Sequence, residues 1–244
     1  MSLLEVKDVK KVFSELVALD GAELVIAENQ FHGLIGPNGS GKSTLLKCIA
    51  GAETVSAGEI HFLGSNITGR SATDRARSGM SLKFQITSVF DTLSVYDNVL
   101  LSLQAEGTPW QLMRSHTRKD LDSEVLSILE QFRLDNLSDD LAEELSHGQK
   151  QWLEIAMAMA RNPKLLLLDE PTAGMSPEER RVTGELLGPI KTSCSILIVE
   201  HDLDFIKNIS DVITVLGQGK ILDHGTPAEI EVSEKVQEVY VTRV

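Results

Sequence analysis

Short apolar runs, each bounded by turn or polar residues, recur toward both ends of the chain and predict β-strands. The runs are residues 22–26, 31–35, 60–63, 165–168, 196–199 and 212–216. Two of them, 165–168 and 196–199, are apolar at every position, which is typical of parallel strands covered on both faces. The pattern therefore predicts an α/β core with a buried parallel sheet.

A different pattern fills the middle of the chain, where residues 94–161 show helical spacing and few strand signals. One helix face with i, i+3, i+4, i+7 spacing is formed by Trp152, Ile155, Ala156 and Met159. We expect a helical lobe inserted into the α/β core, with internal loops at 108–109 and 136–140. The acidic stretch 229–238 is expected to be a solvated helical face, with a specific binding role as the alternative.

The composition adds limits on partners and location. The chain has 244 residues, of which 42% are apolar, so it can bury a full core. A formal net charge of -13 argues against a surface that holds phosphate backbones, so no nucleic acid is expected among the partners. No long apolar run and no charged leader is evident, so we expect a soluble, cytoplasmic chain. Cys48 and Cys194 are expected to be reduced thiols in the core.

A glycine-rich stretch directly after the predicted strand 31–35 fits the phosphate-loop pattern G-x-x-x-x-G-K-[ST]. Its residues are Gly36, Pro37, Asn38, Gly39, Ser40, Gly41, Lys42, Ser43 and Thr44. The glycines let successive N–H groups point at phosphate oxygens, and the N-terminus of the helix that follows adds partial positive charge. We expect Lys42 to reach the β- and γ-phosphates of ATP and the Ser43 hydroxyl to bind Mg²⁺.

Two carboxylates, Asp169 and Glu170, follow the apolar strand 165–168, at the end where open α/β sheets bind ligands. Asp169 is expected to hold Mg²⁺, and Glu170 is expected to polarise the water that attacks the γ-phosphate. The alternative is a pair of solvated turn acids before Pro171, which the phosphate loop in the same chain disfavours.

A further motif lies just upstream of these acids and consists of Leu145, Ser146, His147, Gly148 and Gln149. It resembles the ABC signature, usually written LSGGQ. Gln85 and His201 complete the family's ordered set of motifs, and the resemblance covers essentially the whole chain. It implies a P-loop NTPase (RecA-like) core with a small antiparallel β subdomain and an inserted α-helical lobe. The implied division is a core at 1–84 and 162–225, a helical signature subdomain at 85–161 and a helical tail at 226–244.

The resemblance also implies roles for single residues. Phe13 is expected to stack on adenine, with a place in a core or edge strand as the alternative. Gln85 is expected to link the core to the helical lobe and to sense Mg²⁺ and the γ-phosphate. His201 is expected to bind the γ-phosphate and to orient Glu170 and water. The segment Ser146, His147, Gly148 and Gln149 is expected to contact ATP held by a second subunit.

Two ATPase subunits are therefore expected to close head to tail over two ATP molecules, which converts binding into motion. Two residues depart from the family pattern, since His147 replaces a signature glycine and Ser176 replaces the usual aspartate. A side chain at His147 either crowds the phosphate or donates to it, which leaves the rate and pH dependence of hydrolysis open. Ser176 leaves the coupling between the two sites open.

Residues 145–154 and the segments 83–85, 199–202 and 238–240 are similar to the ATPases of branched-chain amino-acid and urea importers, with the urea type closest. This similarity implies transmembrane permease subunits, a second ATPase subunit of the same or a related sequence, and indirectly a solute-binding protein. It also implies a peripheral position on the cytoplasmic face of the inner (plasma) membrane.

An apolar segment is expected to line a groove that receives a helix of a membrane subunit, with packing between the two lobes as the alternative. Its residues are Val89, Phe90, Leu93, Val95 and Tyr96. The rival functions are a soluble assembly or repair ATPase and a regulatory module that binds ATP without hydrolysing it. The absence of a long heptad insertion disfavours the first, and the presence of Glu170, His201 and Gln85 disfavours the second.

Overall fold

The computed structural model describes residues 2–83, 89–105 and 118–241. The strands are β1 (Ser2–Phe13), β2 (Leu16–Ala27), β3 (Phe31–Ile35), β4 (Ala57–Phe62), β5 (Ser65–Asn66), β6 (Met80–Lys83), β7 (Leu165–Asp169), β8 (Ser195–Val199), β9 (Val212–Gly217) and β10 (Lys220–Gly225). The helices are α1 (Lys42–Ala50), α2 (Ala72–Arg77), α3 (Val95–Gln104), α4 (Arg118–Gln131), α5 (His147–Met159), α6 (Pro177–Leu187), α7 (Leu203–Ile209), α8 (Pro227–Glu231) and α9 (Glu234–Val241).

The larger sheet carries the core of the molecule and has the strand order β10-β9-β3-β8-β7-β6. Its strands are parallel except for β10, which pairs antiparallel with β9 at one edge. Every residue of β3, β7 and β8 is buried, which confirms the prediction of apolar strands covered on both faces. Because β8 lies between β3 and β7, the carboxyl ends of these three strands meet at one edge of the sheet.

The smaller sheet is antiparallel at every pairing and has the order β2-β1-β4-β5. Helix α1 contributes Leu45, Leu46 and Ile49 to a buried cluster that also contains residues of β1 and of β7. The helix therefore packs between the two sheets and fixes the loop that precedes it. The expected α/β fold with a small antiparallel β subdomain is confirmed.

Four strands are not predicted by the apolar pattern, namely β1, the two-residue β5, β6 and β10. β1 has one exposed face, so lysines interrupt its apolar positions and no continuous apolar run marks it. β6 and β10 lie at the two edges of the larger sheet, where polar residues are tolerated. The run predicted at 60–63 ends one residue earlier, since Leu63 lies in a turn with φ of 51°.

The helical lobe lies in sequence between β6 and β7, and it contains α3, α4 and α5. One buried cluster contains Val99 of α3, Leu129 of α4 and Ile155 of α5, so the three helices pack together. Trp152 and Met159 are partly buried against that cluster, as the helical spacing predicts. The connection at 136–140 contains the end of a 3-10 turn (Asp135–Leu137), whereas the loop predicted at 108–109 lies outside the described residues. The division at 84/85 and 161/162 stays a prediction.

The described part of the C-terminal tail consists mainly of α8 and α9, which pack on the core through one face. Ile230 in α8 and Val236 in α9 are buried, and the Lys207 ammonium lies 2.8 Å from the Glu231 carboxylate. The acidic residues Glu229, Glu231 and Glu234 are exposed, so a solvated face is also present. Both cysteines are buried free thiols, and burial raises the pKa of Cys194 to about 12. Within the described residues, no helix has the length and apolar character that crossing a membrane requires.

Candidate functional site

The phosphate loop forms an arch between β3 and α1. The Lys42 ammonium donates to the carbonyl oxygens of Gly36 at 2.8 Å and Pro37 at 3.2 Å. Gly36 has φ of 151°, and a Cβ added there would lie 2.0 Å from the carbonyl oxygen of Leu216, so the close approach requires glycine. Gly41 is the N-cap of α1 in the left-handed region, which directs the helix N-terminus into the arch. The loop therefore has the cradle shape that phosphate groups require.

The two carboxylates lie at the end of β7, on the same edge of the sheet as the phosphate loop. Asp169 ends β7, and its Oδ1 accepts the Ser43 hydroxyl at 3.1 Å. Burial raises the pKa of Asp169, an effect that a bound cation would oppose. Glu170 has φ of 47°, and its N–H donates to the carbonyl oxygen of Val199 at 2.9 Å. The chain therefore turns sharply at Glu170 and leaves the sheet beside the phosphate loop.

An open cleft of about 500 Å³ brings several predicted residues together. It is lined by Phe13, Leu16, Val17, Ala18, Asn38, Gly39, Gly41, Lys42, Ser43, Thr44, Glu170, Gln218 and Gly219. Phe13 is 39% exposed at the end of β1, and the Lys11 ammonium lies 4.6 Å from the centre of its ring. The cleft thus joins an aromatic wall, an anion cradle and a carboxylate, which fits a nucleotide with its phosphates on the loop.

Mg²⁺ would be held at the same place by oxygen ligands. The Ser43 hydroxyl oxygen and the Asp169 Oδ1 lie 3.1 Å apart. Both are hard oxygen ligands, the type of ligand that Mg²⁺ prefers. Gln85, the third expected ligand, lies outside the described residues. The donor set that the structure describes therefore fits the ion.

Glu200 is a residue whose role the sequence analysis misses. Its buried carboxylate accepts the N–H of Thr172 at 2.9 Å, the hydroxyl of Thr172 at 2.6 Å and the N–H of His201 at 3.2 Å. Glu200 therefore ties the loop that follows Glu170 to His201, the residue expected to bind the γ-phosphate. The available signal is its position directly after an apolar strand, as for Asp169. The His201 side chain is 60% exposed and is not among the residues that line the cleft.

The signature residues begin α5, away from the cleft of their own chain. Ser146 caps the helix, because its hydroxyl accepts the N–H of Gln149 at 3.2 Å while the Gln149 side chain accepts the N–H of Ser146 at 2.8 Å. The His147 ring donates to the carbonyl oxygen of Ala173 at 2.9 Å, so it turns toward its own chain. Ser176 caps α6 in the same way as Ser146 caps α5.

The residues predicted to line a groove differ in their exposure to solvent. Val95 and Tyr96 are buried, so the prediction is wrong for these two residues because α3 directs them into the helical lobe. The Tyr96 hydroxyl donates to the carboxylate of Asp122 in α4 at 2.8 Å. Phe90 is 53% exposed, and Val89 and Leu93 are partly buried.

Comparisons with known proteins agree with this geometry. The family model described as "ABC transporter" matches residues 19–173. The chain is 33% identical to the probable branched-chain amino acid transport ATP-binding protein LivG of Archaeoglobus fulgidus, over 99% of this chain and 96% of that protein. It is 31% identical to the lipopolysaccharide export system ATP-binding protein LptB of Escherichia coli, over 99% and 98%.

Solved structures give the same result. The ADP conformation of MJ1267, an ATP-binding cassette of an ABC transporter, superimposes with a TM-score of 0.89 at 30% identity and covers 99% of both chains. CbiO1 of Clostridium perfringens, part of an ABC transporter complex, gives a TM-score of 0.84 at 27% identity, covering 100% of this chain and 96% of that one. The family match and the full-length similarity establish that this chain belongs to the ABC transporter ATPase family.

Proposed function

We propose that this chain powers an importer for branched-chain amino acids, urea or related small polar solutes by hydrolysing ATP in the cleft between Phe13 and Glu170. The observation that carries the proposal is the cleft itself, where an aromatic wall, the phosphate loop and a carboxylate meet. The family establishes the coarser statement that the chain is an ATP-binding, ATP-hydrolysing subunit of a transporter. The residue roles and the solute class belong to the proposal.

Substrate binding rests on the two ends of the cleft. Adenine stacks on the exposed face of Phe13, while the N–H groups of the loop and the Lys42 ammonium bind the phosphates. Ser43, Gln85 and Asp169 would hold Mg²⁺, which would supply neutralising charge for the phosphate oxygens. Lys42 already donates to two loop carbonyl oxygens, so the loop and its cation are preorganised rather than assembled on binding.

Hydrolysis is an in-line attack of water on the γ-phosphorus, in which the bond to the β–γ bridging oxygen breaks and ADP leaves, and Glu170 accepts the proton of that water. The sharp turn at Glu170 and the Glu200 contacts to Thr172 and His201 fix the surroundings of the base. His201 and Gln85 orient the water and the γ-phosphate. Because His201 is mostly exposed in this single chain, its alignment is completed when the site closes.

Closure requires a second ATPase subunit. The signature residues Ser146, His147, Gly148 and Gln149 do not line the described cleft of their own chain. A head-to-tail partner would bring its own signature to the γ-phosphate, and release of that phosphate would let the two subunits separate. ATP then drives motion because it binds the closed dimer more tightly than the open one.

The transporter partner is a transmembrane permease, and the chain works at the cytoplasmic face of the inner membrane as a peripheral subunit. Exposed Phe90, together with exposed Leu101 and Leu141, gives this region of the chain apolar side chains for contact with a permease segment. The solute class follows the similarity to LivG, which is named as a probable branched-chain amino acid transport ATP-binding protein. Similarity to LptB, named as part of an export system, makes export the alternative.

A pull-down of the tagged Glu170→Gln variant from membranes of the source organism, with ATP present, tests the partner and the solute together. We expect polytopic membrane proteins and an amino-acid or urea-type solute-binding protein, identified by mass spectrometry. Wild-type protein without nucleotide is the control for closure-dependent capture. Co-purification of an export complex would overturn the import assignment, and recovery of soluble partners alone would favour the assembly or repair ATPase.

A further inference from the structure

The N-terminus of α5 contacts the loop between β7 and α6 through the side chain of His147. Its Nε2–H donates to the carbonyl oxygen of Ala173 at 2.9 Å, because a carbonyl oxygen can only accept. The ring also lies over Gly174, where an added Cβ would be 3.2 Å from Nε2. Gly174 has φ of 75°, a conformation that favours glycine. The loop therefore has the shape that an imidazole at this position needs.

A second contact joins the same two elements. The Glu179 carboxylate accepts the N–H and the hydroxyl of Ser176, each at 2.8 Å. It also lies against Gly148, where an added Cβ would be 2.4 Å from Oε1. The hydrogen bonds from Ser176 lower the pKa of Glu179. The start of the signature helix is thus fastened to the loop and to the start of α6.

The same loop is connected to the residues of hydrolysis on its other side. The N–H of Ala173 donates to the carbonyl oxygen of Glu170 at 3.2 Å. Thr172 donates twice to Glu200, which in turn accepts the N–H of His201. A continuous set of hydrogen bonds therefore joins the signature helix to Glu170 and His201 within one chain, which is the kind of physical network that coupling needs.

We propose that His147 is a positioning residue that couples the signature segment of a chain to Glu170 of the same chain. The inference rests on the proposed function, in which these two parts serve different ATP sites of a head-to-tail dimer. Ser146 and Gly148 flank His147, so a shift of the α5 N-terminus onto the partner's γ-phosphate pulls on Ala173. Closure at one ATP site thereby affects the position of Glu170 at the other site. The coupling runs through the His147 side chain, which the glycine usual at this position lacks.

Three substitutions separate the hydrogen bond from the rest of the motif. His147→Gly gives the usual signature and removes the donor. His147→Gln keeps an amide N–H near the position of Nε2, whereas His147→Asn places it near Nδ1, too short to reach Ala173. His61→Gln, in β4 of the smaller sheet, is the control for loss of an unrelated histidine and is expected to match wild type.

The first measurement is hydrogen exchange of residues 170–176 in the nucleotide-free full-length protein. We expect faster exchange in the Gly and Asn variants and wild-type exchange in the Gln variant, with α1 unaffected in all three. Equal exchange of this segment in all variants would show that His147 does not hold the loop, and the proposal would be wrong.

The second measurement is ATP turnover against ATP concentration, with equilibrium ATP affinity determined alongside. The loss of one hydrogen bond is expected to lower kcat about 3- to 10-fold in the Gly and Asn variants. The Hill coefficient is expected to fall toward 1 in the same two variants, and the Gln variant should restore both the turnover and the Hill coefficient. Wild-type cooperativity and turnover in His147→Gly would overturn the coupling role. Turnover that does not depend on Glu170 would instead overturn the proposed function, so the two failures are distinguishable.

Discussion

The ion pair between Lys83 and Glu154 links the end of β6 to α5 inside the protein. The two side chains are 1% and 2% exposed, and Nζ lies 3.3 Å from Oε2. Glu154→Gln leaves the ammonium buried opposite a neutral amide, and removal of one partner of a buried pair costs about 3–5 kcal/mol. Since about 1 kcal/mol lowers the Tm of a chain of this size by about 2–4 °C, we expect the variant to melt roughly 6–20 °C below wild type.

Two further variants make the Lys83–Glu154 measurement specific. The double variant Lys83→Met, Glu154→Leu removes both charges and is expected to melt close to wild type, because well-packed apolar residues often replace a buried pair without loss. Glu178→Gln breaks the exposed pair with Arg181 and is expected to leave the Tm unchanged. Differential scanning calorimetry checks all three. If Glu154→Gln melts within about 2 °C of wild type, or if the double variant is as unstable as Glu154→Gln, the reasoning is refuted.

Three other perturbations test separate parts of the account. Phe13→Ala removes the aromatic wall and is expected to raise the Kd for ATP about tenfold in equilibrium binding, whereas Phe13→Trp should retain affinity. Gly36→Ala places a Cβ 2.0 Å from the Leu216 carbonyl oxygen, so calorimetric titration should detect no ATP binding. Burial lowers the pKa of His32 from 6.5 to about 3, so only the unfolded chain takes up this proton between those values. Stability should therefore fall by about 1.4 kcal/mol per pH unit below about pH 6.5, and urea unfolding of His32→Gln should show a smaller fall.

The sequence predicts those parts of the fold in which burial leaves a local trace. β7 and β8 are apolar at nearly every position because both of their faces are buried, one in the cluster that contains the helical lobe and the other in the cluster that contains α1 and the smaller sheet. β1 has one exposed face and edge strand β6 is short, so their patterns are weak and only the assembled sheets define them. Tertiary packing decides these cases, as it also decides the direction in which α3 turns Val95 and Tyr96.

The candidate site follows the same rule. The phosphate loop and the acids at the end of β7 are local motifs whose chemistry is fixed by residue type and spacing, so sequence alone identifies them. Glu200 contacts Thr172, which lies 28 positions earlier in the chain, and His147 contacts Ala173, which lies 26 positions later. No local pattern encodes such partners, because they meet only after β7 and β8 pair and α5 packs against the loop.

The most direct test of the central claim is ATP turnover by wild-type protein and by Glu170→Gln, with ATP affinity measured in the same preparations. If Glu170 is the base in the described cleft, the variant should bind ATP with wild-type affinity and lose turnover by at least about 100-fold, the usual contribution of a general base. Turnover in the variant equal to that of wild type would contradict the account, because the chemistry would then not depend on the carboxylate beside the phosphate loop.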